Sequence, residues 1–352
     1  MRRGLLQWDP QELPVGVLEA RIAQLRAAMM GAGLDAFIAY SNIVRPAAVS
    51  WLTGFTPYWS ESLLLVPRQG RLEFATAMTN RVADWIRSNN PVSEVVSTPK
   101  PGTLLGERLA KDAAIRRVGV LELDALPSEL ADNLAAAAPA IEWVDGSGLF
   151  GALRCRIDDP ERKLIARADA LAVAALAQSH DATDAGTLSG LVEKHARLAG
   201  AEEAYIAIAP NLAADRRLIR VSQPIRLADR FAVRVSVAYK GSWVRRVRTF
   251  AKDGSAAPAD AWFVGVASSL QAGKPIAVQF TDRLATLPGA ELKSWMAESC
   301  TGSYPLSVVA SSRSNGGAIP TDGQFLVLTI ELSLAGAPWL GAAPLIVGGP
   351  NL

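Results

Sequence analysis

Histidine is nearly missing from this chain: its 352 residues include two, His180 and His195, and none follows residue 195. Cysteine is as scarce, with Cys155 and Cys300 alone. These two form no metal-ligand or redox spacing, and so few of them suit a reducing compartment, so we place the protein in the cytoplasm. No apolar run reaches membrane-spanning length. The opening MRRGLLQWDPQELP is interrupted by charge and proline too early for a signal peptide. No GxGxxG follows a strand, no Walker loop occurs, and no GxSxG marks a serine nucleophile.

What is present is ordinary globular material, 50% apolar and 20% charged, and long enough for two domains with their own cores. The net charge of +2 implies no overall pull towards nucleic acid or membrane. The charge is uneven, however. From Arg216 to Arg248 the chain carries nine arginines and Lys240 against one acid, Asp229.

Along the first third, helix and strand alternate. VLEARIAQLRAAMMGAGL (17–34) has helical spacing and a glycine stop, DAFIAYS (35–41) reads as a strand, and SLLLVP with RLEFAT (62–67, 71–76) reads as a hairpin. Helices at 79–88 and 128–138 flank a strand at 117–123, which predicts an α/β domain. A boundary near 146–154 divides domain 1–150 from domain 151–352. Beyond it, DPERKLIARADALAVAALAQSHDA predicts a long helix, and 187–200 a second. The remainder is strand-rich: EAYIAIA, RFAVRVSVAY, SWVRRVRTFA, QFLVLTIELSLA and PLIVG, with helices expected at 258–271 and 289–298 and a loop over 307–317. That pattern predicts α+β.

This layout resembles the creatinase / aminopeptidase P / prolidase family. RIAQLRAAMMGAGLDAFIAYS with SWLTGF (21–55) is similar to the family's opening, LRCRIDDPERKLIARADALAVAAL (153–176) to the first helix of its catalytic domain, and TIELSLAG (329–336) to its TIEPGIY element. VRVSVAYKGSWVRRVRTF (233–250) resembles its central motif, V-D-x-G-x-x-Y-x-G-Y-x-x-D-x-x-R-T-F, with Val233, Tyr239, Gly241, Arg248, Thr249 and Phe250 in place. The resemblance implies an α/β creatinase-like domain followed by an α+β pita-bread domain, and a homodimer. The two aspartates that hold a pair of metals in the peptidases fall on Arg234 and Arg245. The first of the family's glutamates matches Glu331, and the second falls near Ala342. No histidine is available for the metal, and the histidine that serves metal-free creatinases falls near Arg217. The resemblance thus implies no metal and no other cofactor.

The residues alone raise the same question. Strand alternation puts Arg234, Ser236 and Ala238 on one face and Val233, Val235 and Val237 on the other. A turn near Tyr239–Gly241 would place Arg234 directly opposite Arg245, an opposition that destabilises a sheet unless an anion lies beside it. Glu331 is one candidate for that anion, and a bound carboxylate, phosphate or sulfate is another.

The candidate ligand-binding residues are therefore Arg234, Arg245, Arg217 and Tyr239, with Glu331 as the acid/base group. Two readings stand: a cleft for a small carboxylate or amino-acid-like ligand, with hydrolysis of a C–N bond, or an inactive homologue serving as a binding module. Nucleic-acid binding by 216–248 is disfavoured, because stacking aromatics are sparse there. Trp51, Tyr58 and Trp59 read either as interface packing or as a gating surface, and the two histidines read as packing or helix-surface residues.

Overall fold

Leu18, Ile22, Leu25 and Met29 recur at helical spacing and form the buried stripe of helix α1 (Val15–Gly31). The computed structural model describes residues 7–57, 60–180 and 182–349. The chain divides into two compact units, Met1–Cys155 with Cys300–Pro305, and Arg156–Ser299 with Leu306–Leu352.

In the first unit the strands are β1 (Ala36–Ser41), β2 (Ser62–Pro67), β3 (Leu72–Thr76), β4 (Ser93–Ser97), β5 (Arg117–Val120) and β6 (Glu142–Asp145), in sheet order β4-β3-β2-β1-β5-β6. Consecutive residues of β1 enter separate cores, as period-two alternation requires: Phe37 and Ala39 join one, Ala36, Ile38 and Tyr40 the other. Helices α1, α2 (Ala47–Thr53) and α3 (Asn80–Ser88) supply Leu25, Leu52 and Ile86 to the first core. Helices α4 (Pro101–Ala110) and α5 (Ser128–Ala137) supply Leu105 and Leu134 to the second. They meet so closely that a Cβ on Gly106 would lie 2.6 Å from that of Ala137. The result is the expected α/β domain, a sheet covered on both faces.

Helix α6 (Ser147–Arg154) completes this unit, its Phe150 edge-on to Trp51 at 5.7 Å. Trp51 is buried in the core with the Arg21 and Arg154 guanidinium groups over its ring at 5.4 and 5.3 Å, so it packs rather than gates. Tyr58 and Trp59 lie outside the described residues, as does the His180 side chain. Buried Arg45 donates to Glu122 (2.7 Å), to the Ala125 carbonyl (2.7 Å) and to Ser303 Oγ (3.1 Å), clasping the 300–305 segment.

The second unit opens with α7 (Asp159–Leu176), whose N-cap Asp158 accepts from the Glu161 N–H at 2.9 Å. Asp184 caps α8 (Ala185–Leu198) through the Thr187 N–H at 2.8 Å. The strands are β7 (Glu203–Ala209), β8 (Arg230–Tyr239), β9 (Ser242–Ala251), β10 (Ala290–Ser299), β11 (Ser307–Ser311), β12 (Phe325–Leu334) and β13 (Ala337–Ile346), in order β11-β10-β12-β13-β9-β8-β7. Helices α9 (Ala257–Ala267) and α10 (Ile276–Leu284) bury Trp262, Phe263 and Phe280 against Trp295, Leu328, Ile330 and Trp339. No helix among the described residues is long and apolar enough to cross a membrane.

Two expectations are corrected. The helix expected at 289–298 is strand β10, and the loop expected over 307–317 begins as strand β11. The stretch AELKSWMAES is rich in helix formers, but pairing of eight of its residues with β12 outweighs that local preference.

Candidate functional site

Parity decides which side chains stand on the sheet face opposite the helices. Trp295, Leu328 and Ile330 point to the helix side. Their immediate neighbours Ser294, Thr329 and Glu331 therefore occupy the other face. One lateral row crosses all seven strands on that face: Ala207, Arg234, Val247, Ala342, Thr329, Met296 and Ser311. Arg234 is the charged member of the row.

The hairpin between β8 and β9 turns on two residues, Lys240 and Gly241, at φ +47° and +78°. Both conformations favour a tight primed turn that matches strand twist. Their N–H groups donate to Glu202 at 2.5 and 3.2 Å, which holds the turn in place. Tyr239 consequently pairs with Ser242, Ser236 with Arg245, and Arg234 with Val247. The expected direct opposition of Arg234 and Arg245 is corrected to a diagonal one. The two share a face, and diagonal neighbours lie about 7–8 Å apart.

Arg245 donates to Ser236 Oγ at 3.3 Å and forms a short ion pair with Glu298 of β10, a residue only 5% exposed. The acid beside this arginine is therefore Glu298 and not Glu331. Glu331 instead accepts from Arg216 Nη1 at 2.6 Å and from Ser294 Oγ at 3.0 Å. Arg234 has neither kind of partner: its Nε is buried without a hydrogen bond, and it forms no ion pair with any described residue. Burial first, and then the charge of Arg245, pull its pKa below the usual guanidinium value, with Glu298 opposing. Thr329 Oγ1, on the same row, is also buried without a partner.

Arg217 and Tyr239 do not join this group. Arg217 is turned outward onto Asp215 at 2.8 Å, in a pair whose contacts hold the Asp215 carboxyl at about 2. Tyr239 has the parity of Val233, Val235 and Val237, so it points to the helix side, where the Arg167 guanidinium of α7 lies 6.0 Å from its ring centroid. The motif match drew it into the site, and alternation removes it. Sequence reasoning missed Glu298 and Arg216. Reading β10 as a strand would have aligned Ser294, Met296 and Glu298 on one face, whereas Arg216 lies between strands, where no periodicity applies.

Along the Arg234 row stand two arginine–carboxylate pairs, Arg245–Glu298 and Arg216–Glu331, and Arg234 itself, which forms no ion pair with a described residue. Among the described residues no group of three or more His, Cys, Asp or Glu could hold a metal ion.

Residues 21–156 match the Creatinase/Prolidase N-terminal domain family. No curated protein matches the sequence. Among solved structures, the chain is similar to a prolidase from Pyrococcus horikoshii OT3, with a TM-score of 0.70 at 13% identity over 95% of this chain and 97% of that one. It is similar to an Xaa-Pro dipeptidase from Bacillus anthracis, with a TM-score of 0.69 at 17% identity over 94% and 95%. It is also similar to the N-terminal domain of FACT complex subunit SPT16 from Cicer arietinum, with a TM-score of 0.62 at 13% identity over 94% of each. These likenesses are of fold.

Proposed function

From the premise that this chain has a creatinase/prolidase N-terminal domain and the pita-bread fold of the Xaa-Pro peptidases, we propose that it is a metal-independent homologue whose Arg234 face binds a small carboxylate or amino-acid-like ligand. Arg234 carries the reading, because a guanidinium whose Nε is buried without a hydrogen bond, and which forms no ion pair with a described residue, is costly until an anion pairs with it. Its planar fork matches a carboxylate through two parallel hydrogen bonds.

The donor set does not fit a divalent cation. Glu298 and Glu331 are already paired with arginines. A cation beside Arg234 would meet like charge, at about 4 kcal/mol for unit charges ~4 Å apart in an effective dielectric of ~20. In hydrolysis of a C–N bond, Glu331, oriented by Arg216 and Ser294, takes a proton from water as the water adds to carbon. That proton then goes to the leaving nitrogen as the C–N bond breaks. We read the protein as a cytoplasmic homodimer without a membrane or nucleic-acid partner.

Thermal unfolding in sodium propionate, sodium benzoate and glycine tests the binding. A saturable rise in Tm with a carboxylate, abolished in Arg234→Gln, is expected. No rise with any of the three overturns the carboxylate site. Elemental analysis of the purified protein is expected to find less than one divalent metal per chain, and a full complement of tightly held manganese or zinc overturns metal independence.

A second reading is a catalytically inactive binding module; the N-terminal domain of a FACT complex subunit shares the fold. It predicts no turnover of Xaa-Pro dipeptides or N-acyl amino acids in wild type or Glu331→Gln. Turnover lost in Glu331→Gln supports the hydrolase.

A further inference from the structure

A half-open cavity of about 840 Å³ lies at the far end of the same hairpin, where its helix-side residues Phe231, Arg248 and Phe250 reach the start of α9. None of the five candidate residues named from the sequence lines it. Three cations do: Arg226, Arg248 and Lys252.

Two acids also line it, and one of them, Asp260, is paired with a lining cation. Asp184 accepts the Thr187 N–H as the cap of α8. Asp260 accepts from Trp339 Nε1 at 2.9 Å and stands 3.8 Å from Arg248, and burial pushes its carboxyl upward, towards the neutral form. Lys252 is paired with Asp229, which lies outside the lining, and both side chains are well exposed, so that pair is easily exchanged.

The start of α9 borders the cavity through Ala256 and Ala257 but contributes few donors: the Ala257 N–H donates to the Gly254 carbonyl at 3.1 Å, and Pro258 has no N–H.

An independent sign of a ligand is Ser179. It lines the cavity, is 1% exposed, and its hydroxyl has no hydrogen-bond partner among the described residues. A buried hydroxyl left unpaired costs about 1–3 kcal/mol, so a polar group of a ligand would be favoured there. The wall is apolar: Phe231 and Phe250 stack at 5.0 Å, with the Arg248 guanidinium over the Phe250 ring.

We propose that this cavity binds an organic phosphate, with the phosphate among Arg248, Lys252 and Arg226, and the organic body against Phe231 and Phe250. The volume is within the usual range of small-molecule sites, about 300–1,000 Å³. Three cations suit a dianion better than a monocarboxylate.

Isothermal titration with phenyl phosphate, inorganic phosphate and sodium benzoate tests it on the full chain. Phenyl phosphate is expected to bind at one saturable site, at least tenfold more tightly than either other probe. Kd is expected to rise at least tenfold in Arg248→Gln/Lys252→Gln and several-fold in Ser179→Ala. Lys252→Gln alone, at a well-exposed position, gives the same direction with little risk to folding. Arg234→Gln is expected to leave the affinity unchanged, so failure at the Arg234 face and failure here are told apart. The site is overturned if phenyl phosphate does not bind, if inorganic phosphate binds as tightly, or if Arg234→Gln alone removes binding.

Discussion

Arg245 and Arg246 are adjacent in sequence and point to opposite sides of one strand, where they meet different fates. Arg246 faces helix α7 and grips Asp169 with two parallel hydrogen bonds of 2.5 and 2.7 Å, in a pair that serves packing. Arg245 faces away from the helices, pairs with Glu298, and shares its neighbourhood with Arg234, which forms no ion pair with a described residue. Both sides hold desolvated guanidinium groups. The difference is sharing: Arg246 has its own acid in Asp169, whereas Arg234 and Arg245 share the field of Glu298. A chain that only needed to fill space would have gained by placing an aliphatic residue at 234.

Substitution on the helix side is expected to have the largest effect. Asp169→Ala leaves Arg246 unpaired beneath α7 and is expected to cost about 3–5 kcal/mol in chemical denaturation. Arg246→Met in the same background should recover much of it, and if it does not, the pair is no closed unit. On the other side, Glu298→Gln frees Arg245 next to Arg234 and is expected to cost about 2 kcal/mol. That loss should shrink in concentrated sodium propionate, and a salt-independent loss would equate the two faces.

Arg234→Leu is expected to leave stability unchanged or raise it by about 1 kcal/mol, while removing the carboxylate response. A loss above about 2 kcal/mol would mean that Arg234 has a structural partner in solution. The smallest effect belongs to Arg217→Ala, expected within about 0.5 kcal/mol of wild type, because its pair with Asp215 is exposed on the surface.

Much of this architecture was legible in the sequence, and the residues show why. The stripe Leu18, Ile22, Leu25, Met29 and the alternation of β8 and β9 are local signals, readable wherever one face is buried. That Arg234 and Arg245 share a face followed from parity, but their register depended on whether the two-residue turn fell at 239–240 or at 240–241. β10 was illegible because its composition favours a helix and its strand state is imposed by β12, which begins only at Phe325. Glu298 was hidden with it. The pairing of Arg216 with Glu331 joins residues 115 positions apart, and no spacing rule reaches that far.

The clasp at Arg45 bears on synthesis. Its guanidinium is buried within the first unit, yet Ser303, one of its acceptors, is drawn from the last sixth of the chain. While the ribosome is still making the second unit, the first lacks this hydroxyl, and Glu122 lacks the Ser303 N–H that it accepts at 3.0 Å. The amino-terminal unit can therefore collapse early but cannot finish until nearly the whole polypeptide has emerged. A nascent chain arrested before residue 303 should be cut by protease more readily near Arg45 and Glu122 than the released protein.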